Sequence, residues 1–311
     1  MINFRFHLAS LIAIFLALAL GVVVGAGVID RGVVDTLNSR LDSVEAKSDR
    51  ISGENNQLRA DNAKQGEYIK QVQCYAVDNR LLANNVVVVA VRGVDEEVVN
   101  NTVTEAKDCA GATVDGVLWL EGKWALNKDE DVKAMADLLG SGTRKPAALR
   151  AAAWKELAAR LRGPSFSADT TSDLLATLES AGFVTLTPVG DGSRLPGDFP
   201  ARGAAALLVV GSNGDVSDKD VVQPAASAFV EAGIPLVVGD DFEQVKDGPG
   251  RGTALSPVHD DDALSSKVST VDDLDLSQGP ATAVLALAGV LGDPPTVGQF
   301  GMTTGKLPDI S

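Results

Sequence analysis

Soft metal ligands are scarce in this chain: 311 residues include 2 Cys, 2 His and 3 Met. Soft transition-metal ions bind through thiolate, thioether and imidazole, yet no M-x-x-M, C-x-x-C or His-rich tract gathers them. Basic charge is also in deficit, with 27 Lys+Arg against 42 Asp+Glu and a formal net charge of −15. Such a surface repels phosphates and anionic lipid heads, so no nucleic-acid partner is expected. Phosphate-cradling motifs are missing too. "RGVDEE" follows the first apolar run, without a G-x-G-x-x-G or Walker pattern. Ser212 in "VVGSNGD" is not in a G-x-S-x-G elbow. Without a nucleophile, base and orienter set, no enzymatic activity and no resident cofactor are expected.

What is present begins with a long uncharged run. Residues 8–29, "LASLIAIFLALALGVVVGAGVI", carry no charge. At 1.5 Å per helical residue they span about 30 Å of hydrocarbon. A cleaved signal peptide has a shorter apolar region, of about 7–15 residues, so the sequence reads as a transmembrane signal-anchor. Residues 1–7 would then form a short cytoplasmic end, and the rest of this single-pass cell-membrane protein would lie outside the cytoplasm. Ala9, Ala13, Ala17, Gly21 and Gly25 recur every fourth position, lining one helix face with little bulk. Chance in an Ala- and Gly-rich segment explains the same spacing, and alone it is a weak sign of helix pairing.

Residues 30–73 carry a heptad. With Val34 at a, the seam runs Val34, Leu37, Leu41, Val44, Ser48, Ile51, Asn55, Leu58, Asn62, Gln65, Ile69 and Val72, in alternating steps of three and four. That period belongs to a left-handed coiled coil. Asn at a pairs with its own copy in a parallel, in-register dimer and specifies that state at a cost in stability. Across such a homodimer Arg40 faces the partner's Glu45 and Glu54 faces the partner's Arg59, both attractive pairings. The alternative is a solvated helix packed on its own domain, which Gly53, Gly66 and the polar lower half favour.

After "NRLLANN" the texture changes. "VVVVAV" (86–91) is continuously apolar, as a strand covered on both faces requires. Strands are also read at "TVDGVLWL", "FVTLTP", "AAALLVVG", "IPLVVGDD" and, more weakly, "KVSTV". Helices are read at 95–109, 127–139, 147–161, 172–181, 221–232 and 281–291. Alternating strands and helices predict a layered α/β domain over 85–292 with a mainly parallel sheet, and argue against a transmembrane β-barrel. Residues 293–311 read as an irregular tail.

Open α/β sheets bind ligands beyond the carboxyl ends of their strands. Asp240 and Asp241 follow one strand there and form a weak cation candidate beside the reading of a helix cap in a solvated loop. His259, Asp260, Asp261 and Asp262 form a second weak metal candidate in an acidic chain. Cys74 and Cys109 are the only thiols, and an oxidising compartment favours their pairing. An intramolecular bridge is the first expectation, with a Cys74 cross-link between two copies, a two-cysteine metal site and unpaired thiols left open.

The segments "NFRFHLASLIAIFLALALGVVVGAG", "LNSRLDSVEAKSDRISGENNQLRADN" and "VVVVAVRGVDEE" resemble the mycobacterial copper transport protein B family of actinobacteria. The resemblance covers the order of parts along essentially the whole chain. It implies copper export or copper resistance, with copper as the transported ion, in a mycolate-bearing envelope with outer-membrane association. A related reading of similar proteins is a dimeric envelope scaffold acting with division proteins in cell-wall assembly by controlling peptidoglycan hydrolases. The residues alone favour that scaffold.

Overall fold

The computed structural model describes residues 4–162, 173–190, 205–211, 213–244 and 248–309, the side chains of 26–34 excepted. Val34 at the head of the seam, the first residues of the helix read at 172–181 and of the strand "AAALLVVG", Ser212, and the last two residues of the tail therefore lie outside the described side chains or residues. The chain divides into two units, Met1–Gln65 and Gly66–Ser311.

The first unit is helical throughout. Helix α1 runs from Phe4 to Val77 and so continues into the second unit. Its apolar part, Phe4–Gly25, has a mean hydropathy of 2.7 and is long and apolar enough to cross a bilayer. The heptad residues Leu37, Leu41, Val44, Ile51 and Leu58 are all exposed on the single chain. Arg50 and Glu54 lie 3.9 Å apart along the exposed surface, a contact of the kind worth a few tenths of a kcal/mol.

The second unit is a layered α/β domain around one seven-stranded sheet, in the order β3-β2-β1-β4-β5-β6-β7. Strands β1 (Val86–Val91) and β4 (Ala205–Gly211) sit at its centre with every residue buried, which accounts for their unbroken apolar sequences. Strands β2 (Gly116–Leu120), β5 (Leu236–Asp241) and β6 (Ser269–Val271) extend the parallel set. Two differences from the sequence reading appear at the edges. Strand β3 (Val184–Pro188) pairs antiparallel with β2, in the register Leu118↔Leu186. The tail is not wholly irregular either, because β7 (Gln299–Phe300) pairs in parallel with β6.

The helices pack in two groups. Helix α2 (Glu96–Thr104) lies against α9 (Gly279–Leu291), which also touches β4, β5 and β6. In the other group α3 (Asp129–Leu138), α4 (Pro146–Arg162) and α6 (Asp218–Ala232) pack in sequence. Short helices α5 (Leu174–Ser180), α7 (Ser256–His259) and α8 (Asp262–Ser265) fill the borders. Trp124, Trp154 and Phe229 form a fully buried aromatic cluster, with ring centroids 5.3 and 5.9 Å apart. Two half-hidden guanidinium groups lock the helices. Arg150 donates to the Ala125 carbonyl at 2.7 Å and to Asp220 at 2.5 Å, and Arg160 grips Asp173 through two bonds of 2.6 and 3.1 Å. Largely desolvated pairs of this kind fix orientation as much as they stabilise.

The end of α1 belongs to this domain. Val77 and Leu81 are fully buried in its core, and Asn79 turns the chain out of the helix with φ +56°, a left-handed conformation that Asn tolerates better than most residues.

Candidate functional site

A parallel sheet of this type has a switch point, here between β1 and β4, where successive connections leave in opposite directions. The crevice at their carboxyl ends is the usual ligand site. In this chain it is occupied by the protein's own backbone. Gly93, with φ +101°, lies so close to the Asn213 carbonyl that a Cβ would collide with it, and the Asp215 amide donates to the Arg92 carbonyl at 2.6 Å. Beside it, at the β4–β5 strand ends, Gly211 pairs in register with Asp241, whose carbonyl a Cβ at 211 would meet. Arg92 roofs the edge, lying over the Trp119 ring at 4.4 Å and pairing with Glu121 at 3.0 Å and Glu96 at 3.2 Å.

Carboxylates gather beside the closed crevice. Asp240 and Asp241 are consecutive strand residues, whose side chains point to opposite faces, and they find separate partners. Asp240 accepts from the Gly252 amide at 2.9 Å, and Asp241 accepts from the Asp95 amide at 2.7 Å. Asp240 is 2% exposed, and its Oδ1 has no hydrogen-bond partner among the described residues. Burial, opposed by the Gly252 bond and reinforced by the charge of Asp218, pushes its pKa up to about 7. Burial likewise raises Asp218 to about 6. Asp273 is also raised by burial and leaves Oδ1 unpartnered, while Gln278 donates to its Oδ2. Arg251 is the neighbouring cation, clamped on Asp275 at 2.5 and 2.7 Å.

The run His259–Asp262 is placed mostly in structural roles. His259 Nε2 lies 2.8 Å from Thr270 Oγ1, and burial lowers its pKa. Asp261 caps α8 by accepting from the amides of Ala263 and Leu264. Among the described residues, these four are not gathered into a set of three closely spaced donors.

The set that is gathered lies elsewhere. Cys74, near the end of α1, is bonded to Cys109, with Cα atoms 4.9 Å apart. The intramolecular bridge is therefore the pairing present. Cys109 closes a π-helical turn, Glu105–Cys109, that follows α2, a widened turn often found at functional sites. The turn also delivers Glu105, one of whose carboxylate oxygens lies within 4.8 Å of both sulfurs. Glu105 is 3% exposed. Its Oε2 accepts from Gln73 Nε2 at 2.9 Å, while its Oε1 and the Gln73 Oε1 have no partner among the described residues. Burial raises the Glu105 pKa against the opposing effect of the Gln73 bond. A cavity of about 420 Å³ opens beside the group, lined among others by Lys70, Gln73, Asp95, Glu97 and Ser277. Sequence reading missed Glu105. Its one available signal is the spacing Glu105-x-x-x-Cys109, which has meaning only once the turn is known.

A model of the family described as "Copper transport outer membrane protein, MctB" matches residues 1–307. Proteins named copper transporter MctB, from Mycobacterium bovis and two strains of Mycobacterium tuberculosis, are each 24% identical over 319 aligned residues. The alignments cover 99% of this chain and 98% of each relative. These names speak of copper and not of peptidoglycan hydrolases. The chain belongs to the copper transport outer membrane protein family, and is a copper-related, membrane-associated envelope protein at that level.

Proposed function

We propose, from that family membership, that the protein is a single-pass component of copper export or resistance. Its N-terminus lies on the cytoplasmic side and its α/β domain outside the cytoplasm. The observation that carries the copper reading is the family match along residues 1–307. Physical chemistry limits the form the activity takes. The apolar segment Phe4–Gly25 is a single helix, and beyond His7 its one polar side chain is Ser10. One such helix encloses no path for an ion, and a bare charge in hydrocarbon is costly. Metal capture therefore falls to the domain, and any conduit to an assembly of several chains or to a partner. In a strain lacking the protein, growth in copper falls and cell copper rises, and re-expression restores both. Unchanged tolerance and copper content in that strain would overturn the copper reading.

A parallel homodimer through Leu37, Leu41, Val44, Ile51, Asn55, Leu58, Asn62 and Ile69 is the second part of the proposal, with Ala17, Gly21 and Gly25 as the matching membrane contact. The exposure of five apolar seam residues on the single chain supports it. Cysteines placed singly at 55 and 62 should cross-link to their own copies, and a cysteine at 55 should not cross-link to one at 62. Mixed cross-links of equal yield would contradict the parallel register.

A further inference from the structure

The scarcity of soft ligands makes the place where two sulfurs meet a buried oxygen the most informative point in the domain. Three observations converge there. Cys74 and Cys109 are brought together from elements 35 residues apart. Glu105 sits beside them, nine-tenths buried, with Oε1 unpartnered. The adjacent Gln73 Oε1 is a second buried acceptor without a donor. Buried acceptors left unpaired cost about 1–3 kcal/mol each. Both acceptors belong to residues beside the sulfurs, where a cation would satisfy them. A purely structural bridge explains the sulfurs and leaves the unpaired oxygens unexplained.

We propose that Cys74, Cys109 and Glu105 form a redox-gated copper(I) site, closed as the disulfide and opened by reduction. Neither cysteine is fully buried, so an external dithiol reductant reaches the bond. It transfers two electrons and two protons to the two sulfurs and leaves as its own disulfide, yielding two Cys thiols. One Cu⁺ then displaces both thiol protons to solvent and is held between the two thiolates. A carboxyl oxygen of Glu105 serves as the third donor. Thiolate pairs select copper(I) over the hard cations that carboxylates alone would take. Side-chain rotation at 74 and 109 parts the sulfurs, and Lys70 on the cavity wall offsets the charge of the anionic site. Re-oxidation by a thiol oxidant closes the bond and expels the ion.

The identity of the metal rests on the copper reading given above, so the test keeps the two apart. Full-length protein in detergent is reduced with dithiothreitol, freed of it under anaerobic conditions, and titrated with Cu⁺ against a chromogenic Cu⁺ chelator. The reduced protein is expected to take one Cu⁺ per chain, which shields both thiols from alkylation as read by mass. Affinity should fall about tenfold or more in the oxidised protein and in Cys74→Ser and Cys109→Ser, and several-fold in Glu105→Gln. That last variant keeps both sulfurs and holds the test should the serine variants fail to fold. Equal Cu⁺ binding by the reduced protein and the serine variants overturns the site, as does alkylation protection by Zn²⁺ but not Cu⁺. In cells, full copper tolerance conferred by the doubly substituted protein overturns the site and leaves the copper reading standing. Unchanged tolerance without the protein removes the copper reading, while the titration still decides the site.

Discussion

Leu58 and Leu118 are the same side chain in two regions and behave in opposite ways. Leu58, in the helical unit, is 60% exposed, whereas Leu118, in β2, is fully buried. The contrast is general rather than local: Leu37, Leu41, Val44, Ile51 and Leu58 of the helix are exposed, whereas the strands at the centre of the domain are buried along their whole length. Burying a Leu is worth about 1.5–3 kcal/mol. The domain has already gained that from its own chain, while the helix can gain it only from a lipid or another helix. The domain has buried most of its apolar side chains against its own chain, and the helix has not.

The largest expected effect comes from cutting between the two regions. A chain starting near Gly66 should lose all membrane association yet melt as one cooperative transition, read by fractionation and circular dichroism. Aggregation without a melting transition would mean that the domain is not complete by itself.

Next in size is a test inside the domain. Trp154→Ala opens the aromatic cluster and should cost about 3–5 kcal/mol, measured by denaturant unfolding, against under about 0.5 kcal/mol for Leu58→Ala in the same domain transition.

A smaller, pH-dependent effect comes from Asp240. Its folded pKa of about 7 lies above the ordinary value of 3.8. Between those values the unfolded chain has lost the proton that the folded chain keeps, so stability falls as pH rises from about 4 to 7 and levels off above. Asp218, raised to about 6, adds to the same trend. Melting temperature should therefore drop between pH 5 and 8. Asp240→Asn, which can still accept from the Gly252 amide, should flatten that drop and raise the melting point at pH 8. A profile left unchanged by the substitution would contradict the buried, protonated carboxyl.

Least visible in stability is the triple replacement of Leu41, Ile51 and Leu58 by Asp. It should abolish self-association, seen by cross-linking and light scattering, and shift domain melting by no more than about 1 °C.

Much of the domain was legible because burial on both faces writes itself as continuous apolar runs: 86–91, 204–211 and 234–241 all read as strands from their residues alone. The direction of β3 was not legible, since "FVTLTP" looks the same whichever way it runs. Strand β7 is two residues long and leaves no period to detect. Asp240 and Asp241 read as a pair because they are adjacent in sequence, and strand geometry is what separates them. Cys74 and Cys109 could be named from the sequence but their company could not. Glu105 becomes their neighbour only through the widened turn after α2, and nothing in "VTEAKDC" announces that turn. The heptad was readable as a pattern, and on the single chain its apolar residues Leu37, Leu41, Val44, Ile51 and Leu58 lie exposed.

The packing of Gly93 against the Asn213 carbonyl has a practical consequence for anyone seeking compounds against this protein. The doorway through which this architecture customarily admits nucleotides and other small molecules is crossed by main chain, where the loop after β1 meets the loop after β4. Screening libraries built around nucleotide mimics address that crossed doorway, whereas the cavity of about 420 Å³ along α2 beside Glu105 offers open space to direct chemistry at.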